Sequence, residues 1–231
     1  MKTAVLFDYD GVIADTMREH ARAWQNIFAK IGIAIEPMEI YLQEGRRTQE
    51  VVGYILQKYG READAETCKK IAKMKENMFI SSRNTSLYEG ALKLVEQLHR
   101  AGVPLGLVTG SPRRSVLAVV PEEVIGRFRV VVTAEDVTAG KPSPEPYLAA
   151  ARKLRISPEC CLAVENAPLG IQSAKAAGMT VLAITTTLPD EALSQADEVV
   201  HSFEELHAAL SRSMNLHEEF AQGACMNTNK G

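Results

Sequence analysis

Two aspartates, Asp8 and Asp10, stand two residues apart directly after the uninterrupted apolar run Ala4-Val5-Leu6-Phe7, and Gly11 follows them. A run without polar alternation suits a strand buried on both faces of a parallel sheet. Ligands of open α/β sheets gather beyond the carboxyl ends of such strands, so both carboxylates fall at the mouth of a candidate active site. Gly11 lets the chain turn away through a conformation that a side chain would hinder. Two carboxylates beside a metal can divide labour, one staying ionised while the other carries a proton. An Asp pair before Gly also suits an ordinary turn, and three later groups weigh against that reading. Thr109-Gly110-Ser111 ends a second apolar run, with Gly110 permitting close backbone approach. Lys141 is held between Gly140 and Pro142, with Ser143 suited to cap a helix and Pro144 to its first position. Glu165-Asn166 ends a further run. Each string alone is an ordinary loop, and the signal lies in their joint occurrence at the ends of successive strands.

These groups require a scaffold, and the remaining pattern supplies one. Strands are predicted at residues 104–109, 130–133, 162–165 and 180–184, with helices between them. One such helix spans 89–101, carries Leu92, Val95 and Leu98 on one side, and is closed by Gly102. Strands alternating with helices predict an α/β fold with a doubly wound, Rossmann-like parallel sheet. From Met17 to about Ser82 the pattern is helical throughout, which reads as an all-helical insertion. Trp24, Ile27, Phe28 and Ile31 mark one buried helix face ending at Gly32, and further helices are expected at 37–43, 48–59 and 64–79. The polar segment 81–86 reads as a linker, and its pairing with the chain near Asp15 and Thr16 would make a two-strand hinge. The expected division is 1–15 and 87–210 for the α/β core, 16–86 for the helical insertion with its hinges, and 211–231 for a C-terminal tail. Ser213 to Gly231 is expected to be a helix remnant and a flexible tail.

The chain has 231 residues and 46% hydrophobic content, enough to bury a full core. A formal charge of −3 gives no basic footprint for nucleic acid. No apolar stretch reaches the length of a membrane span, and Asp8 and Asp10 interrupt the only apolar run near the N-terminus, so a cytoplasmic protein is expected. Cys68, Cys160, Cys161 and Cys225 lack metal-ligand spacing and read as reduced thiols.

The string Asp8-Tyr9-Asp10-Gly11-Val12-Ile13-Ala14-Asp15-Thr16 resembles the first signature of the haloacid dehalogenase-like hydrolase superfamily, in its phosphatase and β-phosphoglucomutase branch. The likeness continues through His20-Ala21-Arg22-Ala23-Trp24. It returns in Thr109-Gly110-Ser111, in Gly140-Lys141-Pro142-Ser143-Pro144-Glu145-Pro146-Tyr147 and in Glu165-Asn166-Ala167-Pro168-Leu169-Gly170-Ile171-Gln172. The resemblance implies that Asp8 attacks phosphorus to form an aspartyl-phosphate and that Asp10 protonates the leaving oxygen and then activates the incoming nucleophile. It implies that Thr109, Gly110 and Ser111 hold phosphoryl oxygens, and that Lys141 pairs with Asp8 and the transferring group. Mg²⁺ is the implied cofactor, held by Asp8, Asp10, Glu165 and Asn166. Asn166 departs from the usual second acid, so an amide oxygen with one less negative charge would face the metal.

The helical insertion resembles the family's mobile cap, which selects the substrate. Thr16 matches a hinge residue, and His20 and Lys75 match cap residues of the β-phosphoglucomutase subgroup. Gly45-Arg46-Arg47-Thr48-Gln49-Glu50 lacks that subgroup's Ser-Arg-Glu order, and Thr48 stands where it has a phosphate-binding arginine. Arg46 or Arg47 would have to substitute, or both are solvated charges. A mutase must clamp a second phosphate, for which arginine is the usual residue. The expectation is therefore a Mg²⁺-dependent phosphatase of small phosphorylated metabolites such as sugar phosphates, acting as a monomer or small homo-oligomer. The alternatives are a β-phosphoglucomutase-like isomerase and a non-catalytic phosphometabolite-binding protein.

Overall fold

The computed structural model describes residues 2–82 and 84–215. Strand β1 (Ala4–Phe7) is buried on both faces, as its unbroken apolar run requires. Val5 and Phe7 join one hydrophobic layer, whereas Ala4 and Leu6 join the other. The chain then turns through Gly11, at φ +83°, into the two-residue strand β2 (Ala14–Asp15).

Four helices follow: α1 (Met17–Ala29), α2 (Pro37–Tyr41), α3 (Thr48–Lys58) and α4 (Ala65–Ser81). They bury Trp24, Ile27, Phe28, Ile40, Val52 and Ile55 in a core of their own. Ile31 departs from its expected place on that face and is 41% exposed. Helix α1 ends at Ala29, and Gly32 at φ +75° reverses the chain, so Ile31 lies in the turn rather than on the helix. Strand β3 (Ser86–Leu87) returns antiparallel to β2, with Ala14 opposite Leu87 and Asp15 opposite Ser86. The expected two-strand pairing is present, although α4 runs on to Ser81 and shortens the linker.

Helix α5 (Glu89–Arg100) places Leu94, Val95 and Leu98 in the core and leads to β4 (Leu105–Val108). Next come the short helices α6 (Arg113–Leu117) and α7 (Glu122–Ile125), then β5 (Val130–Val132) and α8 (Glu145–Leu154). Strand β6 (Cys161–Glu165), α9 (Pro168–Ala176), β7 (Thr180–Ile184), α10 (Asp190–Leu193), β8 (Glu198–Val200) and α11 (Phe203–Met214) complete the described chain. The six-stranded parallel sheet has the order β5-β4-β1-β6-β7-β8. The winding reverses beside β1, which is where a doubly wound sheet opens its crevice. Helices α5 and α11 cover one face, and α8, α9 and α10 the other.

Strand β8 escapes the sequence reading because it is a short edge strand without an apolar run. Helix α11 runs through residues 211–214 of the expected tail and Asn215 caps it, while residues 216–231, with Cys225, lie outside the described residues. Cys68, Cys160 and Cys161 are free thiols, as expected. Among the described residues no helix is long and apolar enough to cross a membrane.

Candidate active site

The carboxyl ends of β1, β4 and β6, with the loop before α8, bring Asp8, Thr109, Lys141 and Glu165 together. Each of these side chains is at most 2% exposed. Lys141 Nζ donates to Asp8 Oδ1 and to Glu165 Oε1, both at 2.6 Å. Glu165 Oε1 also accepts from the Tyr147 hydroxyl at 2.6 Å, while its Oε2 accepts the Asn166 backbone N–H at 3.2 Å. Burial opposes the Lys141 charge, but the two carboxylates outweigh it and hold the ammonium well protonated. Burial pushes the Asp8 carboxyl up to about 8 against the pull of Lys141, and the charges of Glu165 and Asp10 push the same way.

Asp10 turns toward the helical insertion. Its Oδ1 accepts from Thr16 Oγ1 at 2.7 Å and meets His20 Nε2 at 2.8 Å, and its Oδ2 accepts from Ser111 Oγ at 2.7 Å and Thr109 Oγ1 at 3.4 Å. Burial alone would raise this carboxyl, but His20, Thr16 and Ser111 together hold it well below the usual range. Thr16 occupies the N-cap position of α1 yet makes no cap bond there, because its hydroxyl is directed to Asp10. Lys75 contacts His20 Nδ1, and its ammonium lies 5.1 Å from the Trp24 ring centre. Burial, then the Lys75 charge, lower the His20 pKa against the pull of Asp10.

The expected metal ligands have different hydrogen-bond partners in the structure. Glu165 is engaged by Lys141 and Tyr147, and the Asp10 carboxylate faces the insertion. Among the described residues no three His, Cys, Asp or Glu side chains converge as a metal would need. Within the expected set, two buried oxygens lack any hydrogen-bond partner, Asp8 Oδ2 and Asn166 Oδ1. Thr187 Oγ1 accepts from Asn166 Nδ2 at 2.9 Å and so leaves the amide oxygen as the open atom. Gly11 is required beside it, since a Cβ there would lie 2.0 Å from Asn166 Nδ2. Hard oxygens in this position fit Mg²⁺.

The insertion closes over the core through glycines. A Cβ on Gly110 would lie 2.5 Å from the Gly45 carbonyl oxygen, and one on Gly45 would lie 2.7 Å from Lys141 Cδ. Gly45 also adopts φ +89°. Arg47, the residue before α3, turns outward and donates to the Thr138 carbonyl at 2.7 Å. Arg46 lies over the Tyr54 ring and lines a small, partly open cleft with Asp10, Gln43, Glu44, Lys75 and Ser111. The two arginines therefore part company. On the far edge, Arg114 of α6 pairs with Glu76 and Asn77 of α4.

Sequence reasoning missed Gln43, Glu44, Tyr147 and Thr187. Tyr147 lies within the Lys141 motif, so its position was visible while its contact was not. Before α8 the helix start also differs, with Pro144 at the cap position, although Ser143 Oγ still accepts the Glu145 N–H at 3.2 Å.

Comparison with known proteins adds independent weight. The family described as haloacid dehalogenase-like hydrolase matches residues 2–178. Validoxylamine A 7'-phosphate phosphatase of Streptomyces hygroscopicus subsp. limoneus is 30% identical, covering 89% of this chain and 96% of the relative. β-Phosphoglucomutase of Bacillus subtilis (strain 168) is 31% identical, over 95% and 96% of the two chains. The solved β-phosphoglucomutase of Clostridium difficile superposes with a TM-score of 0.79 at 25% identity, covering 96% of each chain. Sequence motifs, sheet order and helical insertion thus agree, and the chain belongs to the haloacid dehalogenase-like hydrolases, in their phosphatase and β-phosphoglucomutase-like branch.

Proposed function

We propose that the protein is a Mg²⁺-dependent phosphatase of small phosphorylated metabolites of the sugar-phosphate type, acting through an aspartyl-phosphate on Asp8. The observation that carries this reading is the state of Asp8, whose Oδ1 is bonded to Lys141 while its Oδ2 is buried and unbonded, as is the Asn166 amide oxygen. Asp8 Oδ2 and Asn166 Oδ1 would hold Mg²⁺, which when bound supplies positive charge to the phosphoryl group and keeps Asp8 ionised. In the first step an Asp8 oxygen bonds to phosphorus as the ester bond breaks, and Asp10 gives its proton to the leaving oxygen. In the second, Asp10 takes a proton from water as the water oxygen attacks phosphorus, releasing phosphate and restoring Asp8.

Lys141 neutralises the charge that gathers on the transferring group, which is the main demand of phosphoryl transfer. Asp10 is held ionised by its present partners, ready for the second step. An arriving phosphoryl dianion raises its pKa and equips it for the first. Thr109 and Ser111, both bonded to Asp10, would turn their hydroxyls to the phosphoryl oxygens.

β-Phosphoglucomutase-like isomerisation is the second reading, favoured by Arg46, whose Nε is buried without a partner. Phosphate release over a sugar-phosphate panel with Mg²⁺, run beside conversion of β-glucose 1-phosphate to glucose 6-phosphate in the presence of glucose 1,6-bisphosphate, separates the two. Free phosphate that disappears in Asp8→Asn supports hydrolysis. Isomerisation with little release supports the mutase, and no turnover of any substrate by the wild type overturns both.

A further inference from the structure

Helix α2 runs into a short loop that carries Gln43, Glu44 and Arg46 to a small, partly open cleft that Asp10 also lines. Each of the three has bonding capacity that the protein leaves unused. Gln43 Oε1 and Arg46 Nε are buried without a hydrogen-bond partner, and no side-chain hydrogen bond to the Glu44 carboxyl is made among the described residues. Buried polar groups are normally satisfied, and leaving one unsatisfied costs the full desolvation of that group. Two such groups on one loop, with the unbonded Glu44 carboxyl between them and all three lining the same space, mark a surface built to be completed by a ligand.

Their chemistry narrows the ligand. An amide oxygen and a carboxyl oxygen accept, while the Arg46 N–H donates. A hydroxyl matches this mixed set because it donates to one group while accepting from its neighbour, and adjacent hydroxyls on one carbon skeleton match it repeatedly. A second phosphate would accept from Arg46 but would set further anionic oxygens against Gln43 Oε1, beside a site that already holds Asp8 and Asp10. The space is closed down to about 30 Å³, about one water molecule. A hydroxyl of a bound leaving group can therefore take the place of that water and make the bonds that the loop lacks.

We infer that Gln43, Glu44 and Arg46 form a hydroxyl-reading strip, and that the substrates are monophosphates of neutral polyols, open-chain or cyclic, in preference to sugar bisphosphates. This rests on the phosphatase reading and adds the class of leaving group. None of the three residues touches the reacting atoms. They determine specificity.

The test compares glucitol 6-phosphate, glucose 1,6-bisphosphate and acetyl phosphate, the last offering no hydroxyls, using wild type, Gln43→Met and Glu44→Met. Methionine keeps the length of each side chain and removes its hydrogen bonds. Wild type is expected to prefer glucitol 6-phosphate over glucose 1,6-bisphosphate in kcat/KM. Each variant is expected to lose about tenfold more kcat/KM on glucitol 6-phosphate than on acetyl phosphate, the size of one hydrogen bond left unmade. Glu44→Gln, which keeps hydrogen-bonding atoms, should recover part of that loss. Equal losses on glucitol 6-phosphate and acetyl phosphate, or wild-type preference for the bisphosphate, overturn the strip while leaving the phosphatase standing. Absence of turnover on all three compounds in wild type removes the phosphatase reading and the strip with it.

Discussion

Gly110→Ala isolates closure of the helical cap from the chemistry beneath it. The added Cβ would sit 2.5 Å from the Gly45 carbonyl oxygen and 2.9 Å from that of Arg46, both backbone atoms with no rotamer to escape into. Ordinary contact begins at 3.4 Å, so the Gly45 loop must retreat by about 0.9 Å. Both clashing atoms belong to the loop of the helical insertion, and no atom of the sheet is among the nearest contacts. A misplacement of about 1 Å costs on the order of a hundredfold in rate. We therefore expect Gly110→Ala to lower kcat/KM for a sugar phosphate by 10- to 100-fold, order of magnitude, with an unchanged urea midpoint. Steady-state phosphate release and chemical denaturation measure the two quantities on one preparation. Gly32→Ala is the control, since nothing lies within 4 Å of its added Cβ; strain at its positive φ should cost stability of about 1 kcal/mol without a kinetic effect. Wild-type kinetics in Gly110→Ala would refute the idea that the catalytic form is the one in which the Gly45 loop rests on Gly110.

Other outcomes follow from the same geometry. Asn166→Asp adds a charge beside Asp8 Oδ2 and should tighten Mg²⁺ binding; if the Mg²⁺ dependence of phosphate release does not move, Asn166 is not a ligand. Burial holds Lys75 at about 8, against an ordinary 10.5, despite the opposing charges of Asp10, Glu44 and Glu76. The unfolded chain then binds more protons between those values, so this residue makes stability rise with pH across that window, by about 3 kcal/mol in total. Lys75→Met should be more stable than wild type near pH 7 and lose that advantage toward pH 10, and a difference independent of pH in urea titrations would contradict the assignment. Tyr147→Phe removes the 2.6 Å bond to Glu165 Oε1 and should cost about 1.5–3 kcal/mol, as expected for a buried bond to a charged acceptor. An unchanged midpoint would show that Lys141 and the Asn166 N–H suffice to hold Glu165.

Much of the architecture could be read from local pattern. Apolar runs mark β1, β4, β5, β6 and β7 because strands buried on both faces leave no room for polar residues, and the three-and-four spacing of Trp24, Ile27 and Phe28 marks α1. Ile31 continues that spacing but falls beyond the helix, since periodicity does not say where Gly32 will begin to turn the chain. Strand β8 has one covered edge and a mixed sequence, so its pairing with β7 is decided by the sheet. The convergence of Asp8, Thr109, Lys141 and Glu165 was legible because strand ends of one parallel sheet meet at one rim. What Glu165 touches was not, because Tyr147 reaches it from another element. Arg46 and Arg47 are chemically identical neighbours, and only the extended backbone at the start of α3 sends one inward and the other to Thr138.

The pairing of β2 with β3 has a consequence for how such proteins diversify. The chain leaves the core at Asp15 and re-enters at Ser86, residues that face each other across a two-residue ladder. Neighbouring strands lie about 5 Å apart, so everything between these points hangs from a single doorway. A replacement segment of any length whose ends meet at that spacing would leave the six-stranded sheet, its register and the Asp8–Lys141 pair untouched. On the proposed phosphatase reading, substrate recognition can therefore be exchanged as a cassette, while the phosphoryl-handling floor is inherited unchanged.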